Sequence, residues 1–328
     1  MANQVLVIGE VADGKLVPLT AEMLGAGRRL VGESGQGVAC ALVGAGVEGL
    51  ASETIAAGAD AVFVVDDAAL AEYNSDAYLQ AVEAVVEQAQ AGIVLFGQTN
   101  LGRDLAPRLA FQLNTGVVMD TVELAMEGDR LHATRPAYGG NARAVNVVKA
   151  NPQIATVRAK SQDPLEPNPS RSGETTKVAA SIDQSKIRSK VTDRKGLAAE
   201  GIRLEDAETV VSGGRGLGGP ENFGVIEELA QALGAAVGAS RAVCDLGWRP
   251  VSEQVGLTGK VVSPTLYVAV AISGASQHMA GCSGAKNIVA INKDPDANIF
   301  KASRFGIVDD FSKVLPPLIE AIKKEKGS

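Results

Sequence analysis

The sequence predicts an α/β protein of two domains: an N-terminal parallel sheet with helices on both faces and an antiparallel extension, then a C-terminal Rossmann-like domain. Three observations predict it. Short, wholly apolar runs alternate with helical patterns through the first hundred residues, as strands buried between covering helices do. From Gly116 to Ala159 the rhythm changes to strand runs with no helix between them. After a polar stretch, a second alternation of strands, helices and glycine loops fills the last third.

In the first domain, Val5 to Ile8, Gly37 to Val43, Ala61 to Asp66 and Gly92 to Phe96 read as buried strands. Ala21 to Leu30, Glu48 to Ala57 and Asp76 to Gln90 read as the helices between them, the last behind the cap candidates Asn74 and Ser75. Thr115 to Ala125, Leu131 to Tyr138, Ala142 to Ala150 and Ile154 to Arg158 are the runs of the expected antiparallel extension, with Glu127-Gly-Asp129 as a hairpin turn. Gln162 to Thr176 is rich in Pro, Ser, Asn and Gly and reads as a linker or excursion, and Lys186 to Lys195 as a solvated strand or connector. The second domain starts with the strand Glu208 to Ser212 and continues through the helix Glu221 to Leu233. Further strands are expected at Ala236 to Ala239, Leu266 to Ile272, Asn287 to Ile291 and Gly306 to Val308. A final helix, Phe311 to Lys324, ends in cations that suit its dipole.

Composition narrows the function. A chain of 328 residues, 46% hydrophobic and 21% charged, is long enough for two cores. Its net charge of −7, with no basic stripe to offset it, argues against nucleic acid or an acidic membrane surface as partner. Cys40, Cys244 and Cys282 are scattered without metal-ligand spacing and suit a reducing compartment. His132 and His278 are the only histidines, too few for a histidine-rich metal centre. A strand-like start at Gln4 to Ile8, without a leader, and no apolar run of the ~18 residues that span a bilayer lead to a cytoplasmic expectation, without membrane insertion.

The chemistry lies in glycine loops. Gly44-Ala-Gly-Val-Glu-Gly49 is a G-x-G-x-x-G between a strand and a helix, with Asp66 and Asp67 where a ribose-binding acid belongs. Taken alone, it supports an NAD-dependent dehydrogenase. A second match, inside Ser212 to Pro220, lacks the acidic partner and carries Arg215 instead, with Arg241 at the end of the next strand; both suit phosphate oxygens or an electron-rich ring. Gln254 to Lys260 and Ile272 to His278 flank one buried strand and supply glycines, hydroxyls, an amide and an imidazole. A strand that ends in Ser-Gly-Ala-Ser before a helix offers backbone N–H groups to a pyrophosphate. Asn292-Lys-Asp-Pro295 and Asp309-Asp310 end two later strands, where they could meet an adenosine or cap a helix.

Taken in order, Ser212-Gly-Gly-Arg-Gly216, Gly238-Ala-Ser-Arg241, Gln254-Val-Gly-Leu-Thr-Gly-Lys260, Ile272-Ser-Gly-Ala-Ser-Gln-His278 and Ile291-Asn-Lys-Asp-Pro295 resemble the alpha subunits of electron-transfer flavoproteins. Length, linker position and the segment Leu101 to Arg108 resemble that family's N-terminal domain as well.

The resemblance implies an FAD-carrying electron carrier, not an enzyme with turnover of its own. Such a subunit pairs with a beta subunit. It accepts electrons from dehydrogenases, such as the acyl-CoA dehydrogenases of fatty acid beta-oxidation, and passes them to a quinone reductase or another acceptor. It implies an N-terminal domain over 1–190 that packs with the beta subunit, a linker over 191–206 and an FAD-binding domain over 207–328. By motif, Arg215, Ser240, Arg241, Gln254, Val255, Gly256, Leu257 and Thr258 fall in the cofactor shell. So do Ser273, Gly274, Ala275, Ser276, Gln277, His278, Asn292, Asp310 and Phe311. Arg241 is then the residue over the isoalloxazine, Thr258 the hydroxyl facing flavin N5 and His278 the group near the pyrimidine carbonyl, together tuning the potential. Leu257 departs from the glutamine expected of many relatives, which leaves the backbone as the contact there. NAD binding at Gly44 to Gly49 remains the alternative.

Overall fold

The structure, a computed structural model, describes residues 4–32, 37–140, 142–193 and 202–327. The chain divides into two compact units, Met1–Pro136 with Arg143–Lys195, and Ala137–Ala142 with Gly196–Ser328. Of the expected linker, residues 194–201 lie outside the described residues.

The first unit is built on seven parallel strands. Chain order runs β1 (Val5–Gly9), α1 (Pro18–Val31), β2 (Val38–Gly44), α2 (Ala51–Ala56), β3 (Ala61–Asp66), α3 (Ser75–Ala89), β4 (Ile93–Gly97), α4 (Asn100–Gln112) and β5 (Val117–Thr121). Next come β6 (Glu123–Glu127), β7 (Arg130–Ala137), β8 (Ala142–Val147), β9 (Gln153–Val157) and β10 (Glu174–Lys177). The large sheet has the order β10-β3-β2-β1-β4-β9-β5, and a separate three-stranded sheet has the order β8-β7-β6. Alternate strand residues feed two cores. Leu6, Ile8, Ala41, Val94, Phe96 and Ile154 pack with Ala81 and Val85 of α3 and Leu105 and Leu109 of α4. Their neighbours Val5, Val7, Cys40, Leu42, Leu95 and Val157 pack with Met23 and Leu24 of α1 and Ile55 of α2.

The sheet is larger than the runs suggested. β5 and β9 were expected in the antiparallel extension, but both join the parallel sheet, with β9 between β4 and β5. Every residue of β9 is buried, as a strand covered on both faces requires, whereas β6 alternates exposed and half-buried positions. Only Glu123 to Val147 therefore forms the extension, with β6 and β7 antiparallel. Within the expected excursion, Glu174–Lys177 pairs with β3 as an edge strand, a place where polar residues are tolerated. Helix α4 stands where no element was assigned. Thr99 caps it by accepting from Gly102 N at 3.1 Å, and a Cβ on Gly102 would overlap the Gly97 carbonyl, so only glycine lets the helix lie that close to β4.

The second unit contains β11 (Thr209–Gly213), α5 (Gly224–Leu233), β12 (Ala236–Ser240), α6 (Arg241–Asp245), β13 (Gln254–Val255), β14 (Leu266–Val270), α7 (Ser276–Cys282), β15 (Asn287–Asn292), α8 (Ile299–Ala302), β16 (Phe305–Val308) and α9 (Phe311–Lys326). Its six parallel strands run β13-β12-β11-β14-β15-β16, which is 3-2-1-4-5-6 in order of appearance. That is the Rossmann order, and it reverses between β11 and β14. One face of the sheet packs on Ile226 and Leu229 of α5, Val243 of α6 and Leu315 and Ile319 of α9. The other places Val210, Tyr267, Ala269 and Ala290 against Cys282 of α7 and Ile299 of α8.

Candidate functional site

At the point where the strand order reverses, the loops after β11 and β14 diverge to opposite faces and leave a crevice beyond the strand ends. A cavity of about 620 Å³ opens there, within the range of cofactor sites. Its walls come from the ends of β11, β12, β13, β14 and β15, so five strands of one sheet fix its shape.

The structure gathers most of the residues expected of a cofactor shell. Arg215, Ser240, Arg241, Gln254, Val255, Gly256, Leu257, Thr258, Ser273, Ala275, Gln277, His278 and Asn292 all line this cavity. Asp310 and Phe311 line a smaller adjoining cavity that shares Gly216, Ala271 and Asn292 with the first. Gly274 and Ser276 line neither. Gly274 instead allows the turn itself: its φ is +80°, and a Cβ there would overlap the Ile299 amide. The helix after that turn, α7, is only seven residues long, so its dipole is small and anion-binding capacity rests with loop amides and hydroxyls.

Several side chains have their hydrogen bonds arranged toward the cavity. Buried Gln254 donates Nε2 to Thr258 Oγ1 at 3.0 Å. Thr258 thus accepts from the protein and keeps its own hydroxyl proton to donate to a ligand. Arg241 pairs with Asp245 at 3.3 Å, with both side chains about two-thirds exposed (65% and 63%). Such a pair contributes little, so the guanidinium is cheaply released to a better acceptor. The Arg215 residue is exposed, and its side chain forms neither an ion pair nor a hydrogen bond among the described residues.

Other expected contacts are committed to the fold. The Leu257 amide donates to the Gln277 carbonyl at 2.7 Å, so the backbone donor anticipated there is already used, while the side chain stands exposed. Asn292 donates to the Ile272 carbonyl at 2.9 Å and accepts from Asp294 N at 3.0 Å, tying the β15 end to the β14 loop. Asp310 caps α9 by accepting from Ser312 N at 2.9 Å; the Ser312 hydroxyl, which donates to the same carboxyl at 2.7 Å, and then that backbone N–H hold the carboxyl below the usual range.

His278 is the most constrained of the group. It is buried, and its Nε2 lies 2.9 Å from the hydroxyl of Tyr267, itself wholly buried on β14. Its Nδ1 is buried without a hydrogen bond of good geometry. Burial pushes the imidazole down to about 4, against a weaker opposing pull from the Val255 backbone, so the ring is neutral at pH 7. An imidazole nitrogen on a cavity wall without a partner of good geometry fits a polar ligand there.

Sequence reasoning missed Ala242, Asp245, Ala271 and Ala297 on the cavity wall. Asp245 was within reach, because it follows Arg241 at helical i,i+4 spacing; the three alanines carry no signal beyond their size. The Gly44 to Gly49 loop, in contrast, uses its own acid. Asp66 accepts from Gly46 N at 2.8 Å and Glu48 N at 3.1 Å, and Lys177 pairs with Glu48 at 2.8 Å. The carboxylate that a ribose diol would need is spent on closing the turn, which removes the main support for an NAD site there.

Comparison with known proteins agrees with this geometry. The model of the electron transfer flavoprotein domain matches residues 5–183, and that of the electron transfer flavoprotein FAD-binding domain matches residues 203–283. The chain is 44% identical over 326 residues to the electron transfer flavoprotein subunit alpha of Thermoanaerobacterium thermosaccharolyticum, covering 99% of both chains. It is 44% identical over 328 residues to that of Megasphaera elsdenii, covering 98% of this chain and 97% of the other. It is also 39% identical over 336 residues to protein FixB of Azotobacter vinelandii, covering 99% of this chain and 92% of the other.

Proposed function

This chain belongs to the alpha subunits of electron transfer flavoproteins, and from that premise we propose that the cavity at the switch point of its second unit is the seat of the FAD. The subunit is an electron carrier that pairs with a beta subunit and accepts electrons from dehydrogenases. Our reading goes further on three points. The acceptor is a quinone reductase or a comparable redox protein. The location is cytoplasmic; among the described residues no helix is long and apolar enough to cross a membrane. Residues 1–190 form the domain that meets the beta subunit, 191–206 the linker and 207–328 the FAD-binding domain.

The observation that carries the site assignment is the convergence of hydroxyl, amide, imidazole and guanidinium groups on one cavity at the reversal of strand order. When bound, FAD supplies a ring that takes up electrons and gives them back; the protein sets its surroundings. Thr258, held by Gln254, donates at the ring. Arg241, released from Asp245, places a cation over it, and His278 offers a neutral donor at the wall. Arg215, Ser240, Ser273 and Gln277, which line the same cavity, would meet the phosphates.

The test is to purify the chain with its beta subunit and mix the complex anaerobically with an acyl-CoA dehydrogenase and its substrate. The visible flavin absorption of the complex is expected to bleach in proportion to dehydrogenase turnover and to recover on adding a quinone-reducing acceptor. A complex that carries no FAD, or whose flavin does not respond to any dehydrogenase, contradicts the reading.

A further inference from the structure

The hydrogen bond between Tyr267 and His278 can run in either direction, and its direction determines what the imidazole offers. Were the proton on Nε2, the ring would donate to the tyrosine oxygen, and the tyrosine O–H would need a separate acceptor inside the core. Two groups are near enough to consider. The Ser212 hydroxyl is buried beside the Tyr267 oxygen but makes no hydrogen bond of good geometry with it, which leaves it a poor acceptor for the tyrosine proton. The Cys282 thiol donates to the His278 carbonyl at 3.6 Å and its sulfur also lies beside the Tyr267 hydroxyl, but a neutral thiol, its pKa pushed up to about 12 by burial, is only a weak acceptor. His278 Nε2 is then the one good acceptor left for the Tyr267 proton. The Val255 backbone beside the ring favours an N–H over a bare lone pair, which agrees with a proton on Nδ1.

We propose that Tyr267 is a positioning residue for the flavin site: its hydroxyl donates to His278 Nε2 and so fixes the neutral ring with its proton on Nδ1, the nitrogen left unpartnered. The tyrosine touches no ligand. Wholly buried on β14, it acts through the imidazole on α7, so a strand and a helix together set the tautomer of a group on the cavity wall. The consequence for cofactor binding rests on the assignment of this cavity to FAD, whereas the tautomer does not.

The two claims separate in experiment. Ring ¹⁵N NMR on the full chain in its heterodimer, with histidine labelled in this chain alone, reads the tautomer with FAD present or stripped. With two histidines in the chain, a His132→Gln background leaves one signal pair. At pH 7 the expected spectrum has a protonated Nδ1 and a pyridine-type Nε2 for His278, and Tyr267→Phe shifts it toward the other tautomer or a mixture. A wild-type ring protonated on Nε2 overturns the proposal, whether or not FAD binds.

The effect on the cofactor is read by a double-variant cycle. His278→Asn keeps a donor near the Nδ1 position and has no tautomers. Tyr267→Phe is expected to weaken FAD binding about 3- to 10-fold in the wild-type background, the scale of one hydrogen bond. It should have little effect in the His278→Asn background. An equal loss in both backgrounds means that the tyrosine only fills the core and overturns the positioning role. If wild-type complex binds no FAD, the site assignment falls while the tautomer measurement stands.

Discussion

Burial decides the charge of His278, the imidazole at the cavity wall. Its ring loses its charge down to about pH 4 in the folded chain, whereas in the unfolded chain it titrates near 6.5. A depressed histidine stabilises the fold fully above the unfolded value, and that contribution is lost as pH falls from about 6.5 to about 4. The difference corresponds to about 3 kcal/mol at its largest. Trp248, the only tryptophan, packs into the core of the same unit and reports on it. Urea unfolding of the flavin-free chain followed by Trp248 fluorescence is expected to show stability falling from pH 6.5 to 4.5, with the slope much reduced in His278→Asn. Equal slopes in the two proteins would place the pH dependence elsewhere. Glu22 has the opposite sign: burial pushes its carboxyl up to about 7, so its contribution is lost as pH rises, but it lies in the first unit. At this scale the sequence was informative about residue type and silent about commitment. Thirteen of the expected shell residues reach the cavity; the sequence left Asn292 and Asp310 open between a ligand and a cap, and the structure shows Asn292 tying two loops and Asp310 capping a helix. The partner of His278 was hidden, because Tyr267 lies eleven residues away on the strand before.

Among the elements, the turn between β14 and α7 carries the most constraint per residue. Ala271 at φ +56° starts it, and Gly274 at φ +80° passes against Ile299. Gly274→Ala combines an unfavourable backbone with a steric overlap, and a loss of roughly 1–3 kcal/mol is expected. Because Ser273, Ala275, Gln277 and His278 hang on this turn, flavin content should fall with it. The check is thermal unfolding alongside the ratio of flavin to protein, and a stable, fully flavinated variant would show that the turn tolerates a side chain. Strands buried on both faces were legible wherever apolar runs stood between helical patterns, as at β1, β2 and β4. The same principle, applied more strictly, would have placed β9 in the parallel sheet, since Ile154-Ala-Thr-Val157 has no exposed face. Helix α4 escaped because Gly102 and Pro107 weaken the helical signal, although the glycine serves close packing and Thr99 supplies the cap.

For the whole molecule, two parallel sheets in one chain divide the work. The first sheet carries a glycine loop of dinucleotide form that closes on its own aspartate, and the second carries an open cavity at a Rossmann switch point. The motif count alone favours neither. The carboxylate bonded to its own turn and the five strand ends that converge on one cavity favour the second. The central claim is therefore about place, and one measurement addresses it: the FAD content of the purified heterodimer in two variants. Ala275 is exposed on the cavity wall, so Ala275→Trp fills the cavity without entering a core, while Asp66→Asn alters the other loop. The account predicts that Ala275→Trp loses the FAD assigned to this chain and that Asp66→Asn keeps it. Full FAD in Ala275→Trp, or its loss in Asp66→Asn, would contradict the account.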